Sequence, residues 1–431
     1  NIINKCGTTI TLGASSDTVA LAAGASQTGF GRTGTVDWVT TVKTTGFTAV
    51  NGEGYFCNTA GGAFTLTLPA SPSAGDIVAL KDYAATFATN NLTIGRNGSN
   101  LDGNAGDKVL TVNNTSLTLV YVDATQGWKS VEEGAGFIGE TPAFITATGG
   151  TITTSGDYKI HTFTGPGTFC VSNAGNAGGS NTTDYMVIAG GGGGGGESSS
   201  NASGGGAGAG GFREGYNPGS YTASPLATTA LPVSVQGYTI AVGGGGTGGV
   251  GSSSYGTNGA ISTFSSITSA GGGFGGSRAP GPSVGNPGGS GGGGGLNATG
   301  GTGNTPPVSP PQGQTGGGGT PATSAAGGGG AGAVGGCAPS SSVAGPGGAG
   351  ATTSINATPT ARAGGGGGGG QSTGGTGGTG GGGAGATGNG NGTAGTTNTG
   401  GGGGGAYDTT SGGKTGGLGG SGIVIIRYKF Q

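Results

Sequence analysis

The sequence predicts an all-β protein: a short β stalk, a β-sandwich or barrel domain, then a β-scaffold carrying glycine-rich loops of polyproline-II or polyglycine-II type. Three observations carry that expectation. Glycine supplies 119 of 431 residues and is concentrated behind residue 189, whereas average proteins hold about 7%. Two of the most strand-like segments, DYMVIA at 184–189 and IVIIRYKF at 423–430, bracket the glycine block. No stretch repeats apolar residues at helical spacing for three turns, so at most a short helix is expected. An apolar strand at the end of a glycine block is stable only when paired. Its expected partner is the strand that launches the block, which makes the block a set of loops leaving and re-entering one scaffold.

Residues 1–31 alternate short β-prone pieces, TTITL at 8–12 and TVAL at 18–21, with Gly, Ser and Asp turns, a pattern suited to an intertwined or β-helical stalk. Residues 32–133 form the β-domain, with strands expected over 34–39, 47–50, 64–68, 77–83, 92–94, 109–112, 117–122 and 128–131. Turn pairs such as Asn97-Gly98, Asp102-Gly103 and Gln126-Gly127 separate them, at the spacing of a sandwich or barrel. Residues 134–189 add scaffold strands at 143–147, 151–154, 158–163, 168–171 and 185–189. Between 190 and 422 the apolar residues are islands, YTIAV at 238–242, ISTF at 261–264 and Ile267, long enough to pin loops and too short for a core. Residues 423–431 close the scaffold.

Glycine loses more backbone freedom on folding than any other residue, so ordered runs need compensation. Polyproline-II helices have three residues per turn and rise ~3.1 Å per residue; without Cβ atoms they can approach until N–H meets C=O on a neighbour. Cα–H contacts to carbonyls add a weaker term. Polar or proline-bearing tips at 197–203, 278–282, 304–311 and 358–362 would then reverse the rods.

Net charge is −2, charged residues are 7% of the chain, and Lys and Arg are scattered, so neither nucleic acid nor an anionic membrane is an expected partner. No apolar stretch reaches the ~18 to 20 residues that span a bilayer, and no signal-peptide pattern opens the chain. The chain begins at Asn1, from which a further N-terminal segment is expected. Cys6, Cys57, Cys170 and Cys337 show no C-x-x-C spacing and allow three pairings; buried or partly buried thiols are expected. His161 is the one histidine and alternates along a strand, so no metal site, cofactor or catalytic triad is expected. G-x-G-x-x-G strings arise by chance at this glycine density. Glu132-Glu133 and Asp157 invite a glycosidase reading, but a solvated junction explains the pair as well. The chain is expected not to be an enzyme.

The words GEGYF (52–56), TLTLPASPSAGD (65–76), NLTIGRNGS (91–99), TLVYVD (118–123) and the ending 419–430 resemble C-terminal regions of tail fibres from marine, cyanophage-like tailed phages. The glycine block is similar in architecture to the distal adhesins of T-even-like phages. Cys57 and Cys170 depart from the mostly cysteine-free pattern of such fibres. The resemblance implies an extracellular virion tail fibre, a homotrimer, that attaches to a host cell-surface receptor, a glycan or an outer-membrane protein, without membrane insertion. Recognition is then expected at the tips of 190–422, with residues 32–133 as a spacer. Tyr216, Tyr255, Phe274, Arg278, Arg362 and Tyr407 are the candidates, because each sets a ring or guanidinium beside side-chain-poor backbone. Tyr221 belongs to the same aromatic set. A structural subunit of an extracellular filament is the alternative. Ice binding is a third class; it needs a flat Thr/Ala face with a regular tripeptide period, and the interruptions between glycine runs argue against it.

Overall fold

A computed structural model describes residues 36–131, 142–251, 255–278, 283–319 and 323–431. The stalk expected over 1–31, Cys6, Glu132-Glu133 and residues 279–282 lie outside them. Every regular element among the described residues is a strand, and the sheets are open, so the chain is all-β and the barrel alternative falls away. It divides into two compact units at 141/142.

In the first unit, β1 (Asp37–Lys43), β3 (Glu53–Cys57) and β5 (Ile77–Asp82) lie parallel in one sheet, while β2 (Phe47–Thr48), β4 (Phe64–Thr67) and β6 (Leu92–Gly95) lie parallel in another. The chain therefore coils from sheet to sheet for three turns. It then closes antiparallel, with β7 (Lys108–Leu110) on β6 and the hairpin of β8 (Ser116–Asp123) and β9 (Gly127–Ser130) on β5. Tyr55, Leu66, Val78, Leu80, Leu92, Ile94, Leu117, Leu119 and Trp128 fill the space between the sheets. Strand β3 escapes the sequence analysis because Gly54 weakens it. A Cβ there would meet the Trp38 ring at 2.9 Å, so the glycine admits the indole.

The second unit is a two-sheet scaffold with the glycine block on it. One sheet orders β10 (Ile145–Thr148), β13 (Gly167–Ala174), β19 (Gly237–Ala241), β20 (Ser262–Phe264) and β21 (Ile267–Ser269). The other orders β11 (Thr151–Ser155), β12 (Tyr158–Phe163), β25 (Ile423–Lys429), β14 (Thr182–Ile188), β16 (Phe212–Tyr216) and β17 (Ala227–Thr229), with β18 (Leu231–Pro232) also on β14. The closing strand pairs antiparallel with the launching strand, Ile188 opposite Ile423 and Asp184 opposite Arg427, as the bracketing predicts. Their paired segments Tyr185–Ile188 and Ile423–Ile426 are apolar because both faces are covered. Val187, Val424, Ile426 and Tyr428 face the first sheet with Phe169, Tyr238 and Phe264. Met186, Ile188, Ile423 and Ile425 pack against Phe212, Ala331, Ile355 and Ala363, where the glycine block begins.

Glycine rods fill that block. In 190–196 the N–H groups of Gly190 and Gly193 donate to Ala260 and Thr257, those of Gly191 and Gly194 to Gly420 and Gly417, and those of Gly192 and Gly195 to Gly208 and Gly205. The carbonyls of Gly190 and Gly193 accept from Gly272 and Gly275, those of Gly191 and Gly194 from Gly246 and Gly249, and those of Gly192 and Gly195 from Gly403 and Ala406. Partners repeat every third residue, so the rod has threefold polyproline-II symmetry. It donates to three antiparallel neighbours and accepts from three parallel ones. The runs at 204–211, 363–370 and 400–406 are likewise enclosed by hydrogen-bonded rods. An added Cβ on Gly193 would lie 1.8 Å from the Thr247 oxygen, a spacing that excludes every other residue.

Candidate functional site

Because the rods are antiparallel, their reversals fall at two opposite ends. The proximal end abuts the scaffold, where rods meet β14, β16, β19 and β25 at 189/190, 211/212, 242/243 and 422/423. Reversals after 196, 249, 276 and 406 lie at the distal end. The tips at 197–203 and around Arg278 are distal. The tip at 304–311 is proximal, since Gln312 next to it accepts the Phe212 N–H through its backbone and the Ala270 N–H through its side chain. Residues 358–362 are proximal as well, in the hairpin of β22 (Ala351–Thr353) and β23 (Thr360–Arg362). The four expected tips therefore form two surfaces.

Tyr255 and Arg278 lie at the distal end, and Phe274 lies partway along the rod that leads to Arg278. Tyr255 is 48% exposed, Arg278 is exposed, and Phe274 is half-buried. Phe274 is tied by its N–H to Asn258 Oδ1 at 3.1 Å. Glu197 anchors Arg278. Its Oε1 accepts the Arg278 N–H at 2.7 Å, and its backbone exchanges two hydrogen bonds with Lys414. Oε2 is buried without a partner among the described residues. Burial pushes the Glu197 carboxyl up to about 7, with Arg278 pulling against it and Asp408 adding to it. Sequence reasoning placed Glu197 in a polar tip; its burial follows from the rod reversals that surround it.

Three candidates stand elsewhere or are hidden. Tyr407 is fully buried in β24 (Tyr407–Asp408), opposite Ser203 of β15 (Ala202–Ser203), and supports the tips without being displayed. Arg362 is 6% exposed at the proximal end; burial lowers its pKa while Glu214 counters. Glu214 accepts hydrogen bonds from Tyr221, the Ser224 N–H and Thr353, so this polar knot fastens the β22–β23 hairpin to the scaffold. Tyr216 is half-buried against Tyr221, ring centroids 5.9 Å apart, in scaffold strand β16 beyond the proximal end of the bundle. Burial takes Tyr407 and Arg362 off the displayed surface, and Tyr216 packs on the scaffold instead of at a tip.

His161 is buried, with Nδ1 2.7 Å from the Gly149 carbonyl and Nε2 3.1 Å from the Tyr428 hydroxyl; burial lowers its pKa. Arg427 stacks over Tyr158 at 4.1 Å and donates through Nη2 to the Ser220 carbonyl. Cys57 is buried and free, its thiol pushed up to about 12 by burial. Cys170 and Cys337 are free and exposed, which corrects the expectation of buried thiols. Asp157 is exposed in the β11–β12 turn. A cleft of about 260 Å³ beside Tyr158, Asn181 and Lys429 lies on the scaffold, away from the tips. Among the described residues no three His, Cys, Asp or Glu side chains form a metal-binding group. No helix there is long and apolar enough to cross a membrane.

Residues 167–429, from the start of β13 to the end of β25, match a family described as a glycine-rich domain. The chain belongs to that glycine-rich domain family. The match takes in both the scaffold strands and the rods, so the glycine-rich domain is a β-scaffold and its bundle together. No curated protein matches the chain.

Proposed function

We propose that this glycine-rich domain protein is a receptor-binding adhesin, a phage tail fibre that attaches a virion to a bacterial host through the distal tips. The observation that carries the proposal is the convergence of sequence-distant reversals on one end, where Tyr255 and Arg278 are exposed beside a rigid, hydrogen-bonded lattice. Rods of glycine display no side chains, so specificity has to reside where they turn. Aromatic and guanidinium groups give large contact area at low entropy cost, and preorganised backbone lowers the ordering cost of binding. In a homotrimer, weak contacts would add through effective concentration. The receptor is a surface glycan or an outer-membrane protein.

The test exchanges two loops separately for those of a relative with a different host. Replacing 277–283 at the distal end is expected to change which cells are bound, and replacing 304–311 at the proximal end to leave host choice unaltered. Host choice that follows 304–311, or a swap of 32–133, overturns the assignment of the tips. A chain that binds no cells and assembles end to end favours the filament subunit instead.

A further inference from the structure

We propose that the outer layer of the bundle at residues 373–397 is an ice-binding face, separate from the distal tips and independent of the receptor proposal. Three rods lie side by side in this layer. Gly382 and Gly385 of the middle rod donate to Gly378 and Gly375 of the first at 3.1 and 2.9 Å. Thr393 and Thr396 of the third donate to Ala384 and Gly381 of the middle at 2.9 and 2.8 Å. Beneath, Gly383 of the middle rod accepts from Gly367 and donates to Gly402, both at 2.9 Å. Those contacts belong to the fully enclosed rods 363–370 and 400–406. Three rods resting on a second close-packed layer make a flat face.

The tripeptide period that the interruptions appeared to deny is present on this face, because each interruption is a reversal that returns the chain in register. The first rod exposes Thr373, Thr376 and Thr379, the second Ala384 and Thr387, and the third two rows, Thr393 with Thr396 and Ala394 with Thr397. At a rise of ~3.1 Å, like residues recur about every 9 Å along a rod. Residues 363–406 contain no charged and no aromatic side chain. Among the described residues the hydroxyls of Thr373, Thr376, Thr379, Thr393, Thr396 and Thr397 have no protein partner, whereas that of Thr387 accepts the Gly374 N–H at 2.9 Å.

A small ligand would be recognised by a concave site with a few convergent polar groups, and this face has neither concavity nor variety. Identical hydroxyls in a two-dimensional array can all be met at once only by a ligand that repeats in two dimensions. Each threonine both donates and accepts a hydrogen bond, as a water molecule does, and presents a methyl group beside the hydroxyl. The rods are fixed by backbone bonds on both sides, so little order is lost when the array meets a lattice, and many weak contacts sum. Absence of charge removes groups that would hold mobile hydration against an ice surface. Ice is the repeating ligand whose units have the donor and acceptor character of the array.

The test grows ice slowly from a solution of the full chain mixed with an inert reference protein, and compares both in ice and liquid. Several-fold enrichment of the chain in ice over the reference is expected. Thr376→Lys combined with Thr396→Lys, both at exposed positions, should reduce enrichment to the reference level with an unchanged melting temperature. Thr302→Lys, on a rod outside the layer, should retain it. Exclusion of the full chain from ice at the reference level overturns the proposal, as does a double variant enriched like the parent. Retention on crystalline chitin or cellulose combined with exclusion from ice likewise overturns it and assigns the face to a polysaccharide lattice.

Discussion

A Cβ on Gly367 would lie 2.0 Å from the carbonyl oxygen of Gly375, in a rod enclosed by others. Gly367→Val is expected to force two backbones apart and destabilise the unit by about 3 kcal/mol or more, the upper range for overpacked sites, seen as a lower melting temperature. Gly244→Ala is the control: a Cβ there meets nothing within 4 Å, and its melting temperature should match the parent. Glu197 gives a pH signature. Unfolded, its carboxyl titrates near ~4.3; folded, burial holds it up to about 7. Between those values the unfolded chain has released a proton that the folded chain keeps. Stability is therefore full below about pH 4 and lost as pH rises through 7. Asp184, raised by burial to about 6, acts in the same direction. Glu197→Gln should flatten part of this fall, so its melting temperature gains on the parent at pH 8 relative to pH 4. An equal slope in both proteins would show that the carboxyl is not buried.

Strand β25 is hydrogen-bonded on both edges, to β12 and β14, and places Val424, Ile426 and Tyr428 in one core and Ile425 in the other. Removing the last eight residues should expose both cores and give aggregated or protease-sensitive protein; soluble, resistant protein would contradict the closing role. The pairing was legible in the sequence because two uninterrupted apolar runs bracket a region that cannot make a core. Strands β12 and β19 were legible for a related reason, an apolar alternation that no glycine interrupts. Strands β3 and β16 were not, since Gly54 and Gly215 lower their strand propensity and are required by neighbours, the Trp38 and Tyr185 rings. Burial of Arg362 and Tyr407 was illegible for a different cause. Each sits beside featureless glycine, and only the lattice register shows which reversals close over them.

At the scale of the whole molecule, the glycine block shifts from a string of loops to a rigid body with two unlike ends and a flat side. Composition and the closing strand indicated order; they could not indicate which tips share an end, because that depends on the direction of every rod. The stretches 278–282 and 304–311 look alike in sequence, yet Arg278 lies at the distal end and 304–311 at the proximal end of the bundle. Both proposed activities depend on one physical claim, that glycine amides are hydrogen-bonded rod to rod. Amide hydrogen exchange of the native chain tests it most directly. The account predicts that peptides covering 190–196 and 363–370 exchange as slowly as those covering β14 and β25, since every interior N–H there donates to a neighbouring rod. Exchange of those glycine runs within seconds, at the rate of an unstructured linker while β14 and β25 stay protected, would contradict the bundle.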